Sequence, residues 1–167
     1  IEANKIFGIE YRKLKILIHP RSYIHAIVKF TNGLIKILVH DTNMKIPIFN
    51  SIYPNFQKKL KSNSLHLKNL NNLELKHVEK KRFPVIKILE NLPNKDSLFE
   101  TVIVTANDKL VNLFLNKKIM FNDISKLLLK FLKRKEFVKY KKIKPKNIEQ
   151  IKNLSKYVSL KIDTLSV

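Results

Sequence analysis

The spacing of apolar residues changes near the middle of this chain, and that change constrains the fold more than any other feature. Before position 40, apolar and polar residues alternate in three short runs, which predict β-strands at 14–18, 23–30 and 34–39. After Phe83-Pro84, apolar residues recur every three or four positions, as they do in amphipathic helices. A chain that carries the two periods in separate segments is predicted to be α+β.

The second and third predicted strands are separated by Thr31-Asn32-Gly33. Asn-Gly is a strong hairpin signal because both residues tolerate a positive φ at the centre of a turn. Phe30 and Leu34 should therefore begin two paired strands. The first strand should end at His19-Pro20, since proline cannot donate to a strand ladder.

The C-terminal half is predicted to form a bundle of four helices with short loops. Asn122 or Asp123 can cap the third helix, and Asn147 can cap the fourth. Between the strands and the helices, residues 51–81 show no clear period and are predicted to be a long connection. The predicted helices lie near 85–90, 99–115, 124–132 and 148–162.

Composition excludes several kinds of site. The chain has no cysteine, so it can form neither a disulfide framework nor a thiolate metal site. It contains only Gly8 and Gly33, which leaves no glycine-rich loop for a dinucleotide or a nucleoside triphosphate. Its histidines and carboxylates lack the spacing of metal ligands, so we expect no metal site made wholly from this chain.

The net charge of +21 would suit a basic nucleic-acid-binding module, because such surfaces release counterions from phosphate backbones. Only four of the 34 basic residues are arginine, which is the better reader of phosphates and bases. The abundance of lysine, asparagine and isoleucine is typical of an AT-rich genome. We interpret the charge mainly as codon bias and keep the nucleic-acid-binding module as an alternative.

The densest functional signal is the run from His19 to His25, where a turn after a strand should present two imidazoles and a hydroxyl. Met44-Lys45-Ile46-Pro47-Ile48 follows it. By residue chemistry alone both signals are weak, because histidine in a strand and methionine are usually packing residues.

The order of short motifs resembles the 1-deoxy-D-xylulose 5-phosphate reductoisomerase family across nearly the whole chain. The matching motifs are Ile1-Glu2-Ala3, Gly8, Ile18-His19-Pro20-x-Ser22-x-x-His25-x-x-Val28-x-Phe30, Met44-Lys45-Ile46-Pro47-Ile48, Arg82-Phe83-Pro84 with Lys87, Thr101-Val102-Ile103, Ala106-Asn107-Asp108, Phe114-Leu115-Asn116 and Phe121-Asn122-Asp123-Ile124.

The resemblance implies an NADPH-dependent oxidoreductase that also needs a divalent metal, namely magnesium, manganese or cobalt. The complete enzyme would convert this phosphosugar to 2-C-methyl-D-erythritol 4-phosphate for isoprenoid synthesis. It implies that His25 and Ser22 are catalytic-site residues near the substrate and that Met44 approaches the nicotinamide. It further implies a homodimer without membrane attachment, in the bacterial cytoplasm or the plastid stroma.

The resemblance also implies a division of the chain: the end of a catalytic α/β domain at 1–55, a linker at 56–82 and a helical bundle at 83–167. Ile1 already has the pattern of a helix interior, so we expect a preceding portion of chain. The resemblance implies that this portion holds the metal, phosphate and cofactor sites. This chain alone should be inactive. Where the family usually has glutamine, glycine, proline and asparagine, this sequence has Leu38, His40, Thr42 and Val104. These departures keep an inactive paralogue with a structural role as a further alternative.

Overall fold

A computed structural model describes residues 1–54, 58–64 and 67–165 of the chain. The chain divides into two compact units, one made of Ile1–Lys15 with the segment from Glu79 onward, and the other of Ile16–Val78. The first is helical and the second carries the strands, which confirms the predicted α+β class. Among the described residues, no helix combines the length and apolar character needed to cross a bilayer.

The helical unit is built around its longest helix, and its elements lie close to the predicted ones. Its short first helix α1 (Glu2–Phe7) ends at Gly8, whose φ of 64° provides the left-handed C-cap. The helices of the C-terminal half are α4 (Ile86–Glu90), α5 (Leu98–Leu115), α6 (Phe121–Leu132), α7 (Lys135–Val138) and α8 (Ile148–Asp163). Short 3-10 helices occupy Tyr11–Lys13 and Lys139–Lys142.

Helix α5 packs against both α6 and α8, and the apolar stripes of these helices meet in one core. Its largest fully buried side chains include Phe131 and Phe137, whose rings stack with centroids 4.3 Å apart. The Asn147 side chain accepts a hydrogen bond from the Gln150 N–H at 2.8 Å, which confirms the predicted cap of α8. At α6 the N-cap is Met120, so the prediction that Asn122 or Asp123 occupies the cap is wrong: both lie inside the helix. Asp123 still contributes to the cap, because its carboxylate accepts from the Met120 N–H at 3.0 Å.

The first 15 residues belong to the helical unit because polar side chains tie them to the start of α5. Glu100, only 5% exposed, accepts hydrogen bonds from the Tyr11 hydroxyl and from the backbone N–H of Ser97. The Lys5 ammonium lies 2.8 Å from Glu100 and 2.5 Å from Asp96. The apolar spacing that predicted the helices carries no information about these long-range polar contacts.

The strand unit consists of two antiparallel pairs. Strands β2 (Ile24–Lys29) and β3 (Ile35–Val39) form the predicted hairpin, and the short β1 (Leu17–Ile18) pairs with β4 (Lys76–His77). Phe30 donates its N–H to Leu34, as expected for the first pair. Of the three residues between Phe30 and Leu34, only Gly33 has a positive φ, 88°, so the connection is a three-residue loop with glycine in the left-handed position.

The connecting segment is more structured than its sequence pattern predicts. It begins with the last two residues of α2 (Lys45–Ile52), contains α3 (Leu67–Asn71) and supplies β4. The predicted strand at 14–18 is shortened to the two residues that β4 can pair. Residues 56–57 and 65–66 of the predicted linker lie outside the described residues, and the domain boundaries at 55 and 82 stay predictions.

Candidate functional site

A tight turn after β1 positions the first predicted site residue, Ser22. The Ser22 N–H donates to the carbonyl of His19 at 2.9 Å, and Pro20 occupies the turn position that favours its fixed φ. Ser22 itself has a φ of 51°. A left-handed conformation costs a residue with a side chain about 1–2 kcal/mol, and such strained positions cluster at functional sites.

The second predicted site residue, His25, lies at an irregularity in the hairpin. Ile24 pairs with Val39, but Ala26 already pairs with Leu38, so β2 contains one residue more than β3 at this point. The extra residue of such a bulge is unpaired and its side chain is re-aimed. The bulge and the turn therefore present His25 and Ser22, both exposed, from one short segment.

Hydrogen bonds to the backbone of Tyr23 determine which ring nitrogens can react. His19 accepts from the Tyr23 N–H through Nδ1 at 3.0 Å, so in the neutral ring its proton is on Nε2. That Nε2 is buried and has no hydrogen-bond partner among the described residues. His25 makes the opposite contact, since its Nδ1 lies 3.0 Å from the Tyr23 carbonyl oxygen. A carbonyl only accepts, so neutral His25 carries its proton on Nδ1 and keeps Nε2 as a base or acceptor.

A third histidine, His40, belongs to this group although its sequence position marked it only as a departure from the family. Its ring stacks on that of His25, with centroids 3.5 Å apart and planes 18° from parallel. Continuing the strand register away from the Asn-Gly loop, residue by residue, already places position 40 beside the first residue of β2. The bulge, which decides which side chain His40 meets, has no signal in the sequence.

Met44, the predicted nicotinamide contact, lies at the N-cap of α2 and is 66% exposed. No hydrogen bond or ring contact within the described part of the chain joins it to Ser22 or His25. A cavity of about 270 Å³ lies beside the start of α2. Its lining is mainly polar and consists of Asp41, Asn43, Lys45, Ile46, Leu60, Lys61, Ser62 and Asn63.

The described residues contain no group of three or more histidines, cysteines or carboxylates that could hold a metal ion. Two of the departures from the family are exposed apolar side chains, with Leu38 at 56% on β3 and Val104 at 43% on α5. In the basic segment near 139–146, Lys141 lies over the ring of Phe99 and Lys139 over that of Tyr140. Both lysines therefore pack against the bundle as well as facing solvent.

Comparison with known proteins agrees with the motif order. A family model described as the DXP reductoisomerase C-terminal domain matches residues 40–159. The 1-deoxy-D-xylulose 5-phosphate reductoisomerase of Pelagibacter ubique (strain HTCC1062) is 66% identical over all 167 residues, which correspond to 43% of that protein. The enzyme of Sulfurihydrogenibium sp. (strain YO3AOP1) is 32% identical over 83% of this chain and 37% of its own length.

Solved structures show the same relationship. The reductoisomerase from Zymomonas mobilis in complex with NADPH matches with a TM-score of 0.78 and 26% identity, over 99% of this chain and 42% of that one. A DOX-P reductoisomerase in complex with NADPH, fosmidomycin and magnesium matches in fold, with a TM-score of 0.80 at 24% identity. The chain spans less than half the length of these relatives, and it belongs to the 1-deoxy-D-xylulose 5-phosphate reductoisomerase family.

Proposed function

We propose that this chain is the C-terminal portion of an enzyme that converts 1-deoxy-D-xylulose 5-phosphate to 2-C-methyl-D-erythritol 4-phosphate. The observation that carries the proposal is the 66% identity, over every residue of the chain, to a reductoisomerase of Pelagibacter ubique. The family model over residues 40–159 supports it independently. The alternative of a nucleic-acid-binding module rests on charge alone, which describes a surface and not a fold.

In this proposal the turn and the bulge form part of the substrate site. The Nε2 of His25 faces no strand partner and can accept a hydrogen bond or a proton from a substrate hydroxyl. The Ser22 hydroxyl can donate to a substrate oxygen, and the hydrogen bond from the Ser22 N–H to the His19 carbonyl restrains its backbone in the turn. His25 and Ser22 are thus proposed as the catalytic-site residues that this chain contributes.

Met44 is proposed to lie against the nicotinamide of NADPH. Its exposed, polarizable thioether suits a flat apolar ring. NADPH would supply the hydride for the reductive step. The described residues offer no site for the divalent metal, which could be magnesium, manganese or cobalt, so we assign no metal ligand and no metal-dependent step to this chain.

The remaining assignments follow from the family. Residues 1–55 are proposed to complete a catalytic domain, 56–82 to connect it, and 83–167 to form a supporting bundle. Of the first range, residues 1–15 pack within the helical unit. The complete protein is proposed to be a homodimer that acts on a small phosphosugar, in the bacterial cytoplasm or the plastid stroma.

A direct test compares the complete protein with this 167-residue chain. We expect the complete protein to oxidise NADPH when 1-deoxy-D-xylulose 5-phosphate and a divalent cation are added, and the chain alone to neither turn over nor bind NADPH. An inactive complete protein would favour the paralogue alternative. Submicromolar binding to duplex DNA or RNA that persists at physiological salt would instead support the nucleic-acid-binding module.

A further inference from the structure

We propose that His40 is a positioning residue that holds the His25 imidazole in its reactive orientation, an inference that rests on the proposed function. His40 follows the last residue of β3, and its backbone N–H donates to the Tyr23 carbonyl at 3.3 Å. The same carbonyl lies 3.0 Å from Nδ1 of His25. The carbonyl oxygen of Tyr23 therefore accepts from the backbone N–H of His40 and from the ring of His25.

The His40 ring is itself held in place, so it offers a rigid surface. Its Nδ1 lies 2.6 Å from the carbonyl oxygen of Asp41, and the residue is half-buried. The two rings stack with centroids 3.5 Å apart and planes 18° from parallel. A change in χ1 would move the His25 ring away from His40 and break both this contact and the bond to Tyr23, whereas a flip of the ring about χ2 would keep the stack and break only the bond to Tyr23.

Stacking on His40 restrains the His25 side chain, which is exposed. His25 lies in a bulge without a strand partner, so the ladder does not restrain its side chain. Stacking on His40 and the hydrogen bond from Nδ1 together leave Nε2 as the free basic atom. The histidine at position 40, where the family usually has glycine, thus supplies one wall for His25.

The main competing explanation is that His40 itself exchanges a proton with the substrate. Its Nδ1 is hydrogen-bonded to the Asp41 carbonyl, so its Nε2 could serve as the base. The two roles separate in His40→Phe, which keeps a flat ring for stacking but has no nitrogen. His40→Ala removes the ring, and His40→Asn removes the ring while keeping a donor for the Asp41 carbonyl. His77→Ala, on exposed β4, is the matched histidine control.

The experiment uses the complete protein and measures kcat, KM for 1-deoxy-D-xylulose 5-phosphate, KM for NADPH and the nitrogen NMR signals of the His25 ring. We expect His40→Phe and His77→Ala to stay within about twofold of the parent in kcat/KM. His40→Ala and His40→Asn should lose about threefold to tenfold in kcat/KM for the phosphosugar, as expected for loss of one aromatic contact. The KM for NADPH should not change.

The NMR signals give a readout that does not depend on turnover. In the parent and in His40→Phe, the His25 ring should show a protonated Nδ1 and an unprotonated Nε2, and in the two ring-deleted variants this preference should weaken. Unchanged kcat/KM and unchanged His25 signals in His40→Ala and His40→Asn would overturn the proposal. Equal losses in His40→Phe and His40→Ala would also overturn it, in favour of a chemical role. A parent protein without turnover would refute the proposed function, while the NMR comparison would still test the positioning role.

Discussion

Replacing Glu100 by alanine should destabilise the helical unit more than replacing the other carboxylate that binds Lys5, because Glu100 is buried and Asp96 is exposed. The Glu100 side chain is 6% exposed and lies 2.8 Å from the Lys5 ammonium. It also accepts hydrogen bonds from the Tyr11 hydroxyl and from the Ser97 N–H. Its removal would leave three donors without their shared acceptor, two of them on the N-terminal segment.

Removing one partner of a buried ion pair costs about 3–5 kcal/mol. Because the Lys5 side chain is 37% exposed, water compensates part of the loss. We therefore expect a loss of about 3 kcal/mol in the free energy of unfolding. For a unit of about 100 residues this lowers the midpoint of thermal unfolding by about 10–20 °C.

The assay is urea and thermal unfolding of the 167-residue chain, followed by circular dichroism at the helical signal. Asp96→Ala is the matched control, since Asp96 also binds Lys5 but its side chain is 57% exposed. We expect that control to cost less than about 1 kcal/mol. A Glu100→Ala variant within 1 kcal/mol of the parent would refute the conclusion that this carboxylate fastens the N-terminal segment to α5.

Three further outcomes are expected. Lys5, by hydrogen bonding and by charge, holds the pKa of Asp96 below its ordinary 3.8. The Asp96 carboxylate therefore stabilises the folded chain above pH 3.8, and this contribution is lost as the pH falls through the folded-state pKa. As the pH is lowered, the urea midpoint of the parent should then approach that of Asp96→Asn. A difference between the two midpoints that does not change with pH would contradict this expectation. Gly33→Ala should cost about 1–2 kcal/mol from backbone strain alone, because a Cβ there meets no atom within 4 Å and φ is 88°. A cost near zero would show that the loop relaxes. Limited proteolysis should cut between about residues 51 and 81 and leave a resistant helical fragment, because the buried apolar residues concentrate after position 91. A resistant fragment from the first 55 residues would contradict it.

The local sequence pattern predicts those parts of the fold that depend on one helix or one hairpin. The apolar periods identified α5, α6 and α8, and the Asn-Gly signal identified the hairpin. Helix α2, which contains Pro47, was not predicted. Proline at the third helical position is tolerated, since the N–H groups of the first turn have no intrahelical acceptor.

Elements that depend on distant partners could not be predicted in the same way. Strand β4 has only two residues and acquires its identity from pairing with β1. The placement of the first 15 residues depends on the contacts of Lys5 and Tyr11 with Glu100, about 90 positions away. No window of local sequence contains both partners of such a contact.

The candidate site shows the same limit at the level of single residues. Motif order selected Ser22 and His25, and the structure gives each of them an unusual backbone setting, a positive φ for Ser22 and the bulge for His25. Motif order did not predict the contact between His40 and His25, because without the bulge the pairing count would place Ile24, and not Tyr23, opposite His40. One extra residue in β2 shifts that register and brings the two imidazoles together. The residue at position 40 departs from the family pattern, and its new side chain has an aromatic partner in His25.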